Sequence, residues 1–220
     1  MTKTEDKTIK RRTKELDLEE KELGLEKAKL ELDLTRLSHT RSHLSHGPTL
    51  DMHRGIFRLE DVVGGGVLEL ASVVQRWADA DGNAGRPITL YIFSPGGSVL
   101  HGFSLYDTLR TLSEAGHEVT TVIRGFAGSM ASVIFLAGDV RRIGAESIIH
   151  QHEVSSMAYG KASDLGEEVA FTKRLGDKIA RIYETRTKMT VRSFKAKTVK
   201  KEWYADAQEA LALGIATEIK

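Results

Sequence analysis

Gly125-Phe126-Ala127-Gly128-Ser129-Met130-Ala131-Ser132 decides how this chain is read. One serine stands among small residues, immediately before an apolar run from Val133 to Ala137. Upstream, Val119 to Ile123 has the β-branched content of a strand, and Met130 to Ala137 reads as a helix. Ser129 therefore falls where a strand gives way to a helix. A helix N-terminus exposes unpaired N–H groups and the positive end of the helix dipole, and both favour an oxyanion beside that serine. Taken alone, the same placement also suits a plain N-capping serine. Ser132, nearly one turn inside the helix, reads as packing.

Two further segments complete a possible catalytic set. Phe93-Ser94-Pro95-Gly96-Gly97-Ser98-Val99 leaves a strand and enters a loop, and Ser147-Ile148-Ile149-His150 ends an apolar segment in a histidine. A serine that attacks a carbonyl needs a base within hydrogen-bond reach and N–H groups facing the developing oxyanion. Between Ser129 and His150 the chain has room for a helix and a return strand. Gly96-Gly97 makes either a tight turn or a stretch bare enough for a substrate strand to approach the backbone. In the second reading Gly96, Ser98, Val99 and Leu100 bind an extended peptide by strand addition.

Working outward, the pattern is α/β. Gly55 to Leu59 reads as a strand. Gly66 to Ala78 is an amphipathic helix, with Leu68, Ala71, Val74 and Trp77 spaced for one face. Ile88 to Phe93 is nearly continuously apolar, as a buried parallel strand should be. Gly102 to Glu114 reads as a helix, Arg141 to Ile143 and Ile148 to Ile149 as short strands, and Lys161 to Met189 as a long helix. Strands alternating with helices imply βαβ units. Arg186 to Lys201 holds seven basic residues and no acid. It reads as a solvated face, an acidic-partner site, or a source of competition for the Glu202 carboxylate.

The three segments together resemble the proteolytic subunit family of the Clp protease, the ClpP-like serine peptidases. The matching motifs are Ser94-Pro95-Gly96-Gly97, Gly125 to Met130, and Ile148-Ile149-His150-Gln151, in the family's order and spacing. The similarity runs from about Arg54 to Ile219. The resemblance implies the ClpP/crotonase-like spiral fold, with the long helix as the handle by which subunits interlock. It makes Ser129 the nucleophile and His150 the general base, with the N–H groups of Gly97 and Met130 forming the oxyanion hole. Glu202 stands where the family has its triad aspartate, and Asp206, four residues later, is the alternative acid. His152 stands where the family usually has proline. The resemblance further implies a homo-oligomeric ring built on heptamers, protein or peptide substrates, no metal and no cofactor. Any ATP dependence would belong to a partner Clp-type ATPase.

The 220 residues suit one domain with an appendage. A net charge of +1 gives no reason to expect nucleic-acid binding, and the absence of cysteine excludes disulfides and a thiol nucleophile. The N-terminus has no apolar signal region, and no apolar run is long enough to span a bilayer. The expectation is a cytoplasmic protein, or one of the host cytoplasm if phage-encoded.

Residues 1–45 read as a charged helical arm, 46–53 as a linker, and 54–220 as the protease domain. In the arm, Leu16, Leu23, Leu30, Leu37 and Leu44 recur every seven residues, as do Leu18, Leu25 and Leu32. That period suggests coiled-coil character, with the two stripes on nearly opposite sides of the helix. A partly disordered arm remains the alternative. His39, His43 and His46 lie beside Ser, Gly and Pro as surface histidines, or as a three-histidine metal site. The arm and the Glu202 departure favour a specialised enzyme, such as a phage head-maturation protease engaging scaffold or capsid protein. A proteolytically silent ClpP-like assembly subunit and a crotonase-type acyl-CoA enzyme are the readings from other classes.

Overall fold

Three apolar strands form the floor on which the candidate site stands: β1 (Ile56–Leu59), β2 (Ile88–Ser94) and β3 (Val119–Gly128). They run parallel, with Ile56 opposite Thr89 and Ile88 opposite Val119. The computed structural model describes residues 51–156 and 161–220, which lie within the unit Leu50–Lys220. The leucine-striped arm and the histidines at positions 39, 43 and 46 lie outside the described residues.

Between the strands come helices α1 (Gly65–Ala78), α2 (Val99–Glu114) and the short α3 (Met130–Phe135). Strands β4 (Val140–Ile143) and β5 (Ile148–His152) follow, then the long α4 (Ala162–Arg186). The chain ends in α5 (Val191–Thr198), β6 (Glu202–Ala205), α6 (Ala207–Ala212) and β7 (Glu218–Ile219). The main sheet has the order β1-β2-β3-β4-β7. This is the mixed α/β architecture with a mostly parallel sheet that the sequence implies, including one helix much longer than the rest.

The ten-residue length of β3 lets one of its edges serve two partners in succession. Its first half pairs with β2 and β4, and beyond Gly125 its last residues pair with β5, Gly128 lying opposite His150. β5 in turn pairs antiparallel with β6, so β3, β5 and β6 form a second leaf beside the main sheet. Ile88, Leu90, Ile92 and Ile123 are wholly buried between the main sheet and its helices. Burial of each such side chain contributes roughly 1.5–3 kcal/mol.

All six residues of α3 are buried. A buried helix must find partners for its last carbonyls; Thr121 Oγ1 donates to Phe135 O, and arginines take the carbonyls just beyond the helix end, Arg186 Nε donating to Leu136 O and Arg110 to Ala137 O. Arg141 and Arg186 both donate to Gly138 O. Arg141 also reaches Ile215 O and Gly214 O, which docks the C-terminal segment. Burial lowers the Arg141 guanidinium to about 10, so it remains charged at neutral pH.

Helix α2 starts at Val99, not at Gly102, because Ser98 caps it: its side chain accepts from the His101 N–H. The elements after Met189 were not delimited from sequence. α5 is short and basic, and its start is fixed by a capping box between Thr190 and Ser193. Its basic stretch is in part internally paired. Lys195 meets Asp177 at 2.5 Å, Lys197 meets Glu209 at 2.9 Å, and Lys201 donates to Ala196 O. Among the described residues, no helix is long and apolar enough to cross a membrane.

Candidate active site

Ser129 is the hinge between β3 and α3, with φ 48° and ψ −122°. A non-glycine residue there is strained by roughly 1–3 kcal/mol, and the surrounding structure must hold it. The hold is visible. Ser129 N–H donates to His150 O at 2.8 Å, so the serine backbone is tied directly to β5. Its own carbonyl accepts from Ser132 N–H, from Ser132 Oγ and from Gln151 Nε2. Ser132, read as packing, is thus part of the clamp. Its hydroxyl also contacts Tyr183 Oη at 2.8 Å. Tyr183 is fully buried; burial pushes its hydroxyl up to about 12, against hydrogen bonds with Ser132 and Gln151 that act to lower it. The phenol therefore stays neutral and can donate.

The loop Gly96-Gly97 crosses directly above this hinge. Gly96 has φ 91°, and a Cβ there would collide with Gly128 O and lie 2.8 Å from Ser129 Cβ and 2.9 Å from Met130 N. Only glycine allows that approach. On one side the loop is occupied by Val63, whose N–H donates to Gly96 O and whose carbonyl accepts from Ser98 N–H. Backbone groups alternate in direction along an extended segment, so Gly97 N–H and C=O point away from Val63. Met130, as the first residue of α3, has no intrahelical acceptor for its N–H. Gly97 and Met130 thus follow directly on the two sides of the Gly96–Ser129 contact.

The expectation of a substrate strand along Ser98 to Leu100 needs correction. Ser98 is the cap of α2, and Val99 and Leu100 form its first turn, so the backbone of Val99 and Leu100 is helical and cannot pair with a strand. Leu100 remains exposed, as do Val62 and Phe93 nearby in sequence to the loop and β2.

Alternation along β5 puts His150 and His152 on one face and buries Ile149 and Gln151 on the other. His150 Nε2 meets Glu202 Oε2 at 2.5 Å. The β5–β6 register brings them together, with His150 opposite Tyr204 and His152 opposite Glu202. Glu202 is 60% exposed, so this contact orients the ring more than it stabilises the fold. Tyr204 stacks on the His150 ring at 4.5 Å, and Phe126 lies on it at 6.1 Å. Asp206 is occupied elsewhere, as the N-cap of α6 accepting from Glu209 N–H. The lysines beside Glu202 do not take its carboxylate.

Ser129 Oγ is hydrogen-bonded to His152 Nε2 at 3.0 Å. The structure thus joins His150 to Glu202, and Ser129 to His152. The His150 and His152 rings lie parallel within 4°, their centroids 5.3 Å apart. In the sequence His152 stood out as a departure from the family's usual proline, and its spacing of two from His150 is the signal that puts it on the same face. Gln151 and Tyr183 carried no such signal. Among the described residues, no three His, Asp or Glu side chains gather as a metal site.

Comparison with known proteins returns one family. A family model described as Clp protease matches residues 71–220. A protein of Chlorella vulgaris named ATP-dependent Clp protease proteolytic subunit is 34% identical over 138 residues, covering 61% of this chain and 66% of that protein. Proteins of the same name from Dehalococcoides mccartyi, strains BAV1 and CBDB1, are 32% identical over 136 residues, with the same coverage. The chain thus spans just under two thirds of the length of these curated relatives.

Proposed function

The chain belongs to the Clp protease family, and we propose that it is a serine endopeptidase that cleaves protein or peptide substrates from within a ring of its own copies. Ser129 is the nucleophile, and His150 with Glu202 forms the histidine–acid couple of the triad. The single observation that carries this reading is Ser129 itself. It is a strained serine at a strand-to-helix turn, with an imidazole on its Oγ and a glycine loop crossing above it.

The chemistry follows from the parts. An extended substrate lies against Gly96-Gly97, with its scissile carbonyl over Ser129. The serine proton passes to an imidazole of β5 as Oγ attacks the carbonyl carbon. The carbonyl electron pair moves onto oxygen, which is held by the N–H groups of Gly97 and Met130. The imidazolium then protonates the leaving amine, and water repeats the sequence on the acyl-enzyme. Removing one oxyanion donor in such a site costs roughly 100- to 1,000-fold in rate.

The ring is supported by family membership, and α4 is the element available for subunit interlocking. A Clp-type ATPase, or phage scaffold or capsid protein, is the proposed partner, and the cytoplasm the proposed location. A silent assembly subunit is the second reading. It is favoured by one observation, that the His150 ring meets Glu202 while the Ser129 hydroxyl meets His152.

The test is hydrolysis of an unstructured polypeptide by the full chain, with native mass spectrometry on the same sample. The account predicts a ring assembly whose cleavage is abolished in Ser129→Ala without loss of assembly. A ring with no cleavage in the wild type, with or without a Clp-type ATPase, would identify the silent subunit.

A further inference from the structure

Two imidazoles stand on one face of β5, and only one of them touches the serine. We propose that His152 is a catalytic residue of this chain: it accepts the Ser129 proton directly, while the His150–Glu202 couple stands beside it as support. The inference rests on the serine-peptidase reading above and assigns the proton within it.

Four observations carry it. The Ser129 Oγ to His152 Nε2 distance of 3.0 Å is that of a nucleophile and its base. The two imidazoles make different contacts: His150 Nε2 donates to the Glu202 carboxylate at 2.5 Å, while the Ser129 hydroxyl is turned to the His152 ring. For His152 the reverse holds. To accept from Oγ–H its Nε2 must be bare, which puts the ring proton on Nδ1.

The third observation is that the Ser129–His152 contact is braced from below. Gln151 is 2% exposed. Its Nε2 donates to Ser129 O at 3.2 Å, and its Oε1 accepts from His152 N–H at 3.1 Å. One buried amide thus ties the backbones of nucleophile and base together, and Tyr183 holds that amide in turn. Gln151 is a positioning residue.

The fourth concerns charge. Taking the proton makes His152 an imidazolium. Its cross-strand neighbour is Glu202, and the His150 ring that binds Glu202 lies parallel to it. The residue that becomes cationic therefore lies directly across the strand pair from Glu202.

The step balances. As Oγ bonds to the carbonyl carbon, its proton goes to His152 Nε2 and the carbonyl π pair goes to oxygen. As the C–N bond breaks, the same proton goes to the leaving amine. With a fluorophosphonate probe, the Oγ–P bond forms, the P–F bond breaks, fluoride departs, and His152 holds the serine proton.

The experiment measures the second-order rate of fluorophosphonate labelling by intact mass for the full chain and for His152→Ala, His152→Asn, His150→Ala and Ser129→Ala. Loss of a general base predicts a fall of about 100-fold or more in His152→Ala. Free imidazole in the buffer should restore part of that rate, and His150→Ala should lose less. His152→Asn keeps a polar group but cannot take the proton, so it should be as slow as alanine. Wild-type speed in His152→Ala or His152→Asn would overturn the proposal, as would absence of imidazole rescue. A larger loss in His150→Ala than in His152→Ala would return the proton to His150. A wild type that forms no adduct, or an adduct that survives in Ser129→Ala, would overturn the serine-peptidase reading and this inference with it.

Discussion

At the scale of single residues, the site depends on where a side chain is missing as much as on where one is present. Gly96 lies so close to the hinge that any Cβ would meet Gly128 O and the backbone of Met130. Gly96→Ala must either push the loop off Ser129 or displace Met130 N–H. Its φ of 91° adds strain of roughly 1–3 kcal/mol. Displacements of about 1 Å in a catalytic array cost on the order of 100-fold in rate. The expected variant melts a few degrees lower and labels Ser129 about 100-fold more slowly; calorimetry and labelling kinetics check the two separately. Wild-type labelling in Gly96→Ala would mean that the loop takes no part in the reaction. Ser129 and His150 were singled out in the sequence by the short motifs around them, and Glu202 by the resemblance to the family's triad position. The pairing among them was not legible there. Which nitrogen meets which partner depends on cross-strand register and side-chain rotation, and neither is written in residue spacing.

At the scale of elements, α3 links the candidate site to stability. Ser129 stands at its N-terminus, and the carbonyls just beyond its C-terminus are held by Arg110, Arg141 and Arg186. Asp139 is the acid among these guanidinium groups. Burial alone would raise its carboxyl. Hydrogen bonds from Arg110 at 2.8 Å, the Val119 N–H at 3.1 Å and Ser113 Oγ at 2.9 Å outweigh that and hold it below the usual carboxylate range. In the unfolded chain the same carboxyl takes its proton at the ordinary value, so the folded state binds that proton less readily. The stability from this group is therefore complete above the ordinary carboxylate range and is lost as pH falls through the lowered folded value. Asp139→Asn should melt well below the wild type at pH 7, and the gap should close below about pH 4. Melting curves from pH 7 to pH 3 test this; a gap independent of pH would remove Asp139 from the arginine cluster. None of this cluster was anticipated. Arg141 lies in an unremarkable short strand and Asp139 just before it, and only the return of α4 and the C-terminal segment to that strand gives them a role.

At the scale of the whole molecule, α/β alternation, a buried parallel strand and one long helix were enough to anticipate the architecture. The boundaries drifted where capping overrode hydrophobic periodicity, as at Ser98, which moved the start of α2 into a stretch read as peptide-binding strand. The last thirty residues resisted division because α5 and α6 are short and β7 has two residues. Such elements are fixed by tertiary contacts and not by their own periodicity. What the fold achieves is convergence. β3 ends beside Ser129, β5 supplies two imidazoles, β6 supplies Glu202, and the β2–α2 loop crosses above Ser129. The central claim is that this convergence activates Ser129. Its most direct test is to treat the full chain with a fluorophosphonate, digest it, and locate the adduct by peptide mass. The account predicts one adduct, on Ser129, that is absent after heat denaturation before labelling. An unmodified Ser129 in a folded, assembled protein, or an adduct on another residue, would contradict it.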